Sequence, residues 1–378
     1  MKNVQLVAPV LTRSGYGVHA RQIASYLVEK HKEGKIQLSI HSTNWGITPW
    51  IISGPDFQKF TPFLGPQKNT DVSIQLTVPS EWQKRCAINV GMTAGNESDR
   101  WSESWLKAAD DMDRIITPSA HASMPLLMAK PHLSERTRLV PESFSGAFLE
   151  PAPIDLRLER DFNFLIVGQI TGDITSDRKN IIRTIRWMAR HFSARKDVGL
   201  VVKLNSGRDT VFDKRDTVDT IKLALKDIPK GLPIKLVHGR LSDQEMSGLY
   251  RHPQIKALVT TTHGEGFGLP ILEAAVCGLP VIATNWSAHC EFLRLGKFVD
   301  VPYELKHVPK SKIDNVIQPP GARWADVDPS QFLKRCEKVI DKYETPKLWA
   351  TELSEKLQAK YSSTAIFQAY DQAFEGIL

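Results

Sequence analysis

Short runs of Val, Ile and Leu alternate along the chain with longer segments in which apolar residues recur every three or four positions. A continuous apolar run of strand length predicts a strand buried on both faces, and the 3.6-residue period predicts a helix that covers it. Alternation of the two predicts a parallel sheet flanked by helices. The pattern occurs twice. In the first half the expected strands are 4–10, 36–41, 72–77, 87–92 and 114–118, with helices over 18–29 and 103–111. In the second half they are 162–168, 199–204, 234–238, 257–261 and 280–284. Between the halves, Glu150-Pro-Ala-Pro-Ile-Asp155 reads as a linker, because two prolines so close together continue neither a helix nor a central strand. Near the end, Ile366, Phe367, Tyr370 and Phe374 have the spacing of an amphipathic helix that needs a surface to cover. The expected organisation is therefore an N-terminal domain over 1–155, a C-terminal domain over 156–360 and a terminal helix over 361–378 that packs back on the first domain. The polar, proline-containing segment 303–323 reads as a long loop.

A length of 378 residues with 42% hydrophobic and 24% charged residues agrees with two globular domains. The longest wholly apolar or small stretch, 274–283, is about half of what a bilayer span needs and contains Gly278 and Pro280, so no membrane span is expected. Met1-Lys2 runs straight into an apolar strand without the features of a secretory signal, and the expected location is the cytoplasm. Cys86, Cys277, Cys290 and Cys336 are scattered without metal-ligand spacing. The net charge of +7 permits an anionic partner and does not choose one.

The segment that changes this picture is His263-Gly-Glu-Gly-Phe-Gly-Leu-Pro-Ile-Leu-Glu273, placed after an apolar strand and opening a helix near Leu269. Glycines at 264, 266 and 268 let backbone approach a ligand, and the N-terminus of a helix favours a phosphate. Glu265 and Glu273 beside such a turn need hydroxyl donors, which a sugar and a ribose supply. The combination points to a nucleotide sugar.

The Glu-x7-Glu spacing within this string resembles the signature of family-four retaining glycosyltransferases. The resemblance implies the GT-B fold, two Rossmann-like α/β domains facing across a cleft. It implies that Glu265 contacts the transferred sugar, that Glu273 binds the nucleotide ribose, and that Gly266, Phe267, Gly268 and Leu269 hold the diphosphate through backbone amides. The segment Gly168 to Asn180 resembles the family's basic phosphate clamp, with Lys179 at the clamp lysine and Arg178 before it. Gln169 stands where the family places an arginine, and Lys203 is the candidate to supply the missing charge. His238-Gly-Arg-Leu resembles the segment that packs against the nucleotide base. Glu291 falls where the family presents a glutamate beside the diphosphate, and equally suits an ordinary acid at a helix start.

In the first half, Thr12-Arg-Ser-Gly-Tyr-Gly-Val-His19 follows the first strand as the family's glycine-rich loop does, carried by Gly15 and Gly17 with Tyr16 between them. Thr93, Asn96 and Glu97 lie just after another strand, where many members have a histidine that this sequence lacks. His19 and His121 also suit structural roles. Asp111-Met-Asp113 and Asp326-Val-Asp328 have metal-diphosphate spacing, but the first ends a helix and the second reads as an N-cap, so no metal and no cofactor are expected.

The resemblance implies transfer with retention from a nucleoside-diphosphate sugar, expected to be UDP-linked, to an acceptor hydroxyl. The strings T-R-S-G-Y-G-x-H, G-x-T-A-G-x-E and P-G-A-R-W-A-D-V-D are similar to glycosyltransferases encoded by tailed bacteriophages. The expected acceptor is then a 5-hydroxymethylated cytosine in DNA, with Arg183, Arg186 and Arg190 on one helix face as a phosphate track. A polysaccharide, lipid or small-molecule acceptor remains the alternative, as do a GT-B sugar-nucleotide epimerase and a silent nucleotide- or DNA-binding protein.

Overall fold

The computed structural model describes residues 1–66 and 69–378. The chain divides into two compact units, each built on a six-stranded parallel sheet. Unit 1 comprises Met1–Ser143, Ile313–Ala322 and Ser363–Leu378. Unit 2 comprises Phe144–Lys312 and Arg323–Ser362. This is the GT-B fold.

In unit 1 the strands are β1 (Lys2–Ala8), β2 (Ile36–Ser42), β3 (Val72–Leu76), β4 (Ile88–Met92), β5 (Arg114–Thr117) and β6 (Thr137–Leu139). Their order is β2-β1-β3-β4-β5-β6. Residues of β3 are buried throughout, as expected of a central parallel strand covered on both faces. The helix Gly15–Lys32 crosses from β1 to β2, with Ala20, Ile23, Ala24 and Leu27 fully buried. The terminal helix Ser363–Ala373 shares this core through Ile366, Tyr370 and Ala373. Its Asp371 accepts from Tyr26 at 2.9 Å and pairs with Lys30 at 2.8 Å.

In unit 2 the strands are β7 (Phe162–Gly168), β8 (Val198–Leu204), β9 (Ile234–His238), β10 (Ile255–Thr260), β11 (Val281–Thr284) and β12 (Val299–Val301), ordered β12-β11-β10-β7-β8-β9. Strands β7 and β10, which carry the two chemistry-bearing loops, are neighbours in the middle of the sheet. The residues from Phe144 to Leu156 fold with unit 2: Phe148 packs on Tyr250, and the Ala152 amide donates to the Gln244 carbonyl at 3.0 Å.

One sequence expectation is corrected. The segment 303–323 is not a plain loop, because β13 (Tyr303–His307) pairs antiparallel with β14 (Arg323–Val327). The exposed polar residues of β13 hide the strand period, and fifteen residues separate it from its partner.

Candidate functional site

The site in unit 2 is built where the loops after β7 and β10 meet. After β7, the Asp177 carboxylate gathers its own loop: it accepts from the Thr171 amide at 3.0 Å and hydroxyl at 2.9 Å, and from the Ile181 amide at 2.8 Å. The last bond gives an acceptor to the first amide of the helix Ile181–His191. Asn180, in the left-handed region at φ 54°, donates from its side chain to the Thr261 hydroxyl at 3.0 Å. The His263 amide donates to the Arg178 carbonyl at 2.9 Å. Two loops far apart in sequence are thereby stitched into one unit.

This stitching places Lys179 against Glu265. The ammonium reaches both carboxylate oxygens at 2.7 Å, and Arg178 stands 3.4 Å from Oε2 while donating to the Gly264 carbonyl at 2.7 Å. The Thr262 hydroxyl donates to Oε1 at 2.9 Å. The Glu265 side chain is 7% exposed. Burial alone would raise its pKa, but Lys179 and then Arg178 overrule that and hold the carboxyl at about 2. The Glu265 amide donates to the Ser287 hydroxyl at 2.9 Å, which lies 3.3 Å from His289 Nδ1. His289 Nε2 is 2.7 Å from the Thr284 carbonyl, so it must carry the proton, and Nδ1 is left as acceptor for Ser287. Burial holds the His289 ring neutral.

The turn then enters the helix Leu269–Val276 through Gly268 at φ 101°. A side chain there would be strained by the dihedral, and its Cβ would stand 3.1 Å from that of His289. Phe267 turns inward onto Phe292 and Tyr361, so only its backbone remains at the loop. Lys179, Glu265 and Gly268 line one cavity, floored by Ile166, Thr260 and Ile271. The first-turn amides of a helix have no intrahelical acceptor, and here they start beside that cavity.

Glu273 lies one turn on, half-buried, with the Tyr250 hydroxyl 3.3 Å from Oε2. Burial and the nearby Asp243 push its pKa up to about 8, and the Tyr250 bond opposes them only in part. Glu291, in the short helix His289–Leu293, is half-buried.

In unit 1 the Ser14 hydroxyl caps the helix Gly15–Lys32 by accepting from the Gly17 amide at 3.0 Å. A Cβ on Gly17 would lie 2.0 Å from the Thr12 carbonyl, so only glycine fits. The Tyr16 ring packs 4.3 Å from Trp45, and its hydroxyl is 2.9 Å from that of Thr93. Gly15, Tyr16, Thr93 and Glu97 thus belong to one cluster at the ends of β1 and β4, and the charge of Glu97 is felt at Tyr16. His19 is buried and bonded to Tyr370, with its pKa pushed down to about 3 by burial, a structural role.

The segment 235–317, which holds Glu265, Glu273 and Glu291, matches the family described as glycosyl transferases group 1. The chain is a glycosyltransferase. No curated protein sequence matches it. Among solved structures, this glycosyltransferase is similar to sucrose-phosphate synthase from Thermosynechococcus elongatus, at 14% identity over 100% of this chain and 99% of the other, with TM-score 0.65. It is similar to HepE of Anabaena in complex with UDP-glucose, at 11% identity over 100% of both chains, TM-score 0.64. It is also similar to WaaG, a glycosyltransferase involved in lipopolysaccharide biosynthesis, at 12% identity over 98% and 99% of the two chains, TM-score 0.61.

Two expectations about basic residues do not hold in this glycosyltransferase. The Lys203 ammonium is not directed to the Lys179–Glu265 cluster; it is buried at the ends of β8 and β9, donating to Asn205 Oδ1 at 2.5 Å and to the Gly239 carbonyl at 2.6 Å. The arginine stripe is engaged in ion pairs: Arg183 pairs with Asp326 at 3.0 Å, Arg186 grips Asp227 with two bonds of 2.7 Å, and Arg190 reaches the same carboxylate at 3.2 Å. Acids from other elements of unit 2 fold onto the helix face, which the sequence periodicity alone does not display. Asp328 caps its helix as expected, by accepting from Ser330 and Gln331 amides.

Thr262, Ser287 and His289 were not singled out from the sequence, and neither was the support that the hairpin gives His263. That ring stacks on Trp324 at 4.6 Å, and its Nδ1 donates to the Ala325 carbonyl at 2.5 Å. Among the described residues no group of three or more His, Cys, Asp and Glu could hold a metal, and no helix is long and apolar enough to cross a membrane.

Proposed function

We propose that the enzyme transfers a sugar, with retention of configuration, from a nucleoside-diphosphate sugar bound in the C-terminal domain to an acceptor hydroxyl bound in the N-terminal domain. The observation that carries this reading is the Lys179–Glu265 pair, fixed between the starts of two helices and opening on one cavity. In this reading the diphosphate sits at those helix starts. Its charge, growing as the glycosidic bond breaks, is met by Lys179, Arg178 and the backbone amides of Gly266 to Leu269.

A diphosphate beside Lys179 draws part of the ammonium's attraction from Glu265, whose carboxylate is then available to a sugar hydroxyl and to developing oxocarbenium charge. The acceptor hydroxyl attacks the face from which the diphosphate departs, and the departing oxygen takes its proton. Glu273 accepts the ribose hydroxyls. Glu291 stands as a further candidate near the diphosphate, and Gly15, Tyr16, Gly17 and Glu97 as the acceptor-side cluster. A uridine donor is favoured by the structural likeness to HepE, a protein whose structure holds UDP-glucose.

For the acceptor, 5-hydroxymethylcytosine in DNA now rests on the string resemblance and the net charge of +7, because the arginine stripe is paired. The test is incubation with UDP-glucose and other nucleotide sugars, with hydroxymethylated DNA, glycans and lipids as acceptors. Release of nucleoside diphosphate together with a glycosylated product supports transfer. Conversion of the donor without any acceptor product indicates the epimerase instead.

A further inference from the structure

Lys203 is an ammonium inside a sheet. Strand β8 is buried along its whole length, and Lys203 itself is 3% exposed. Burying a charge this deeply has a large cost unless every proton finds an acceptor. Its acceptors belong to the exits of two strands: Asn205 Oδ1, two residues on, and the Gly239 carbonyl on the loop after β9. Gly239 is gripped from the other side as well, since its amide donates to the Leu204 carbonyl at 3.0 Å. Between these grips Gly239 adopts φ 91°, with open space where a Cβ would stand. The glycine is needed for its dihedral and not for room.

Around this point two buried polar atoms have no hydrogen-bond partner, His238 Nε2 and Asp209 Oδ1, and Asp209 is itself in the left-handed region at φ 60°. Unpaired buried polar atoms occur elsewhere in the chain too, but these two flank one gripped loop, where a polar ligand edge would supply a donor and an acceptor. A nucleobase edge has that chemistry. The ammonium is not bonded to a carboxylate among the described residues: burial pulls its pKa down to about 8, against the opposing charge of Asp209.

We infer that Lys203 is a positioning residue for donor selectivity: by holding the Gly239 carbonyl, it sets the backbone of residues 239–241 against which the nucleobase of the donor is read. The inference rests on the proposed nucleotide-sugar site and names the element that makes that site selective for its base. Lys203 does not meet the diphosphate.

The experiment is calorimetric titration of the full chain with UDP, GDP, ADP and pyrophosphate, for the wild type, Lys203→Met and Gly239→Ala. Met keeps the length of the side chain and removes the ammonium. Ala at 239 leaves the buried charge in place and disfavours the dihedral, so it perturbs the same loop by a second route. The expected result is that both variants bind pyrophosphate as the wild type does and lose about tenfold or more in affinity for the preferred nucleotide. The ratio between nucleotides then falls to within about threefold. Equal weakening of all four ligands by Lys203→Met would assign the residue to the diphosphate and overturn the inference. An unchanged ratio in a folded Gly239→Ala protein overturns it too. Failure of the donor reading is separate, since the wild type would then bind no nucleoside diphosphate at all.

Discussion

Glu265 and Glu273 stand eight residues apart on one turn and its helix, and the fold treats them in opposite ways. Glu265 is the more enclosed, yet it is held ionised at about 2 because Lys179 and Arg178 meet it directly. Glu273 meets a phenol and the negative field of Asp243, and is pushed up to about 8. Burial acts in the same direction on both. The difference lies in the partners: one carboxylate has its counter-charge built into the protein, and the other, in the proposed reading, is completed by the ribose. A residue that is satisfied in advance can fix geometry, whereas one that is unsatisfied couples its proton to the ligand.

The largest expected effect is at the satisfied end. Lys179→Met should lower kcat by about 100- to 1,000-fold, the cost of removing one preorganised group from a developing anion. It also strands a buried carboxylate, for a stability loss of about 3 kcal/mol in denaturant unfolding. The double variant Lys179→Met with Glu265→Gln should regain most of that stability and none of the turnover. Recovery of turnover in the double variant would mean that the lysine only neutralises Glu265, and the contrast between the two carboxylates would lose its functional half.

Next comes Glu273→Gln. A hydrogen bond from ribose to a charged acceptor contributes about 1.5–3 kcal/mol, so affinity for the nucleoside diphosphate should fall roughly 10- to 100-fold. Turnover at saturation should change less, because the ribose contact exists before and during the reaction. Calorimetry with UDP and saturating kinetics separate the two quantities.

The pH dependence follows with a smaller effect, and the two residues carry opposite signs. With a pKa of about 8 in the free protein, Glu273 is mostly protonated at pH 6.5. Binding that uses the carboxylate must then release a proton, so UDP affinity should rise between pH 6.5 and 8.5, and Glu273→Gln should remove that rise after the ligand's own titration is subtracted. For stability, Glu265 contributes above the unfolded value of about 4.3 and loses that contribution as pH falls toward 2. The raised Glu273 does the reverse: its contribution is present below about 4.3 and is lost as pH rises through 8. Thermal melts should therefore show Glu273→Gln gaining on the wild type as pH rises from about 4.3 to 8 and levelling off above it, while Glu265→Gln loses its disadvantage only in strong acid.

The same contrast explains what was legible beforehand. Strands β7 and β9 both have the bounds that their apolar runs predicted; β7, in the middle of the sheet, displays itself as such a run because it is covered on both faces, whereas β9 is a half-buried edge strand. The short edge strands β6 and β12, three residues each, carry too few apolar positions to register. The Glu-x7-Glu string named both carboxylates, but nothing in it shows that one would be paired and the other not. That depends on Lys179, Asp243 and Tyr250, which lie elsewhere in the chain and arrive through the fold. The place of Lys203 at a strand end makes it a candidate for the charge that Gln169 does not supply, and nothing in the sequence shows its burial, which depends on the depth of β8 within the sheet.

The smallest expected effect is that of chelation, and it bears on whether Lys179 is sufficient. A leaving diphosphate needs positive charge, from a cation or from the protein. Here an ammonium, a guanidinium and two helix N-termini converge on one loop cluster, with Glu265 already holding Lys179 in position. A divalent ion would have to approach this positive group, and the Asp326 carboxylate that sequence spacing would offer it is taken by Arg183 and by Lys306 at 2.7 Å. Turnover with a nucleoside-diphosphate sugar should therefore change by less than about twofold in EDTA. If EDTA instead abolishes turnover and Mg²⁺ or Mn²⁺ restores it, the charge that drives departure of the diphosphate comes from outside the chain. Lys179 would then serve to hold Glu265, and Lys179→Met should retain metal-dependent activity.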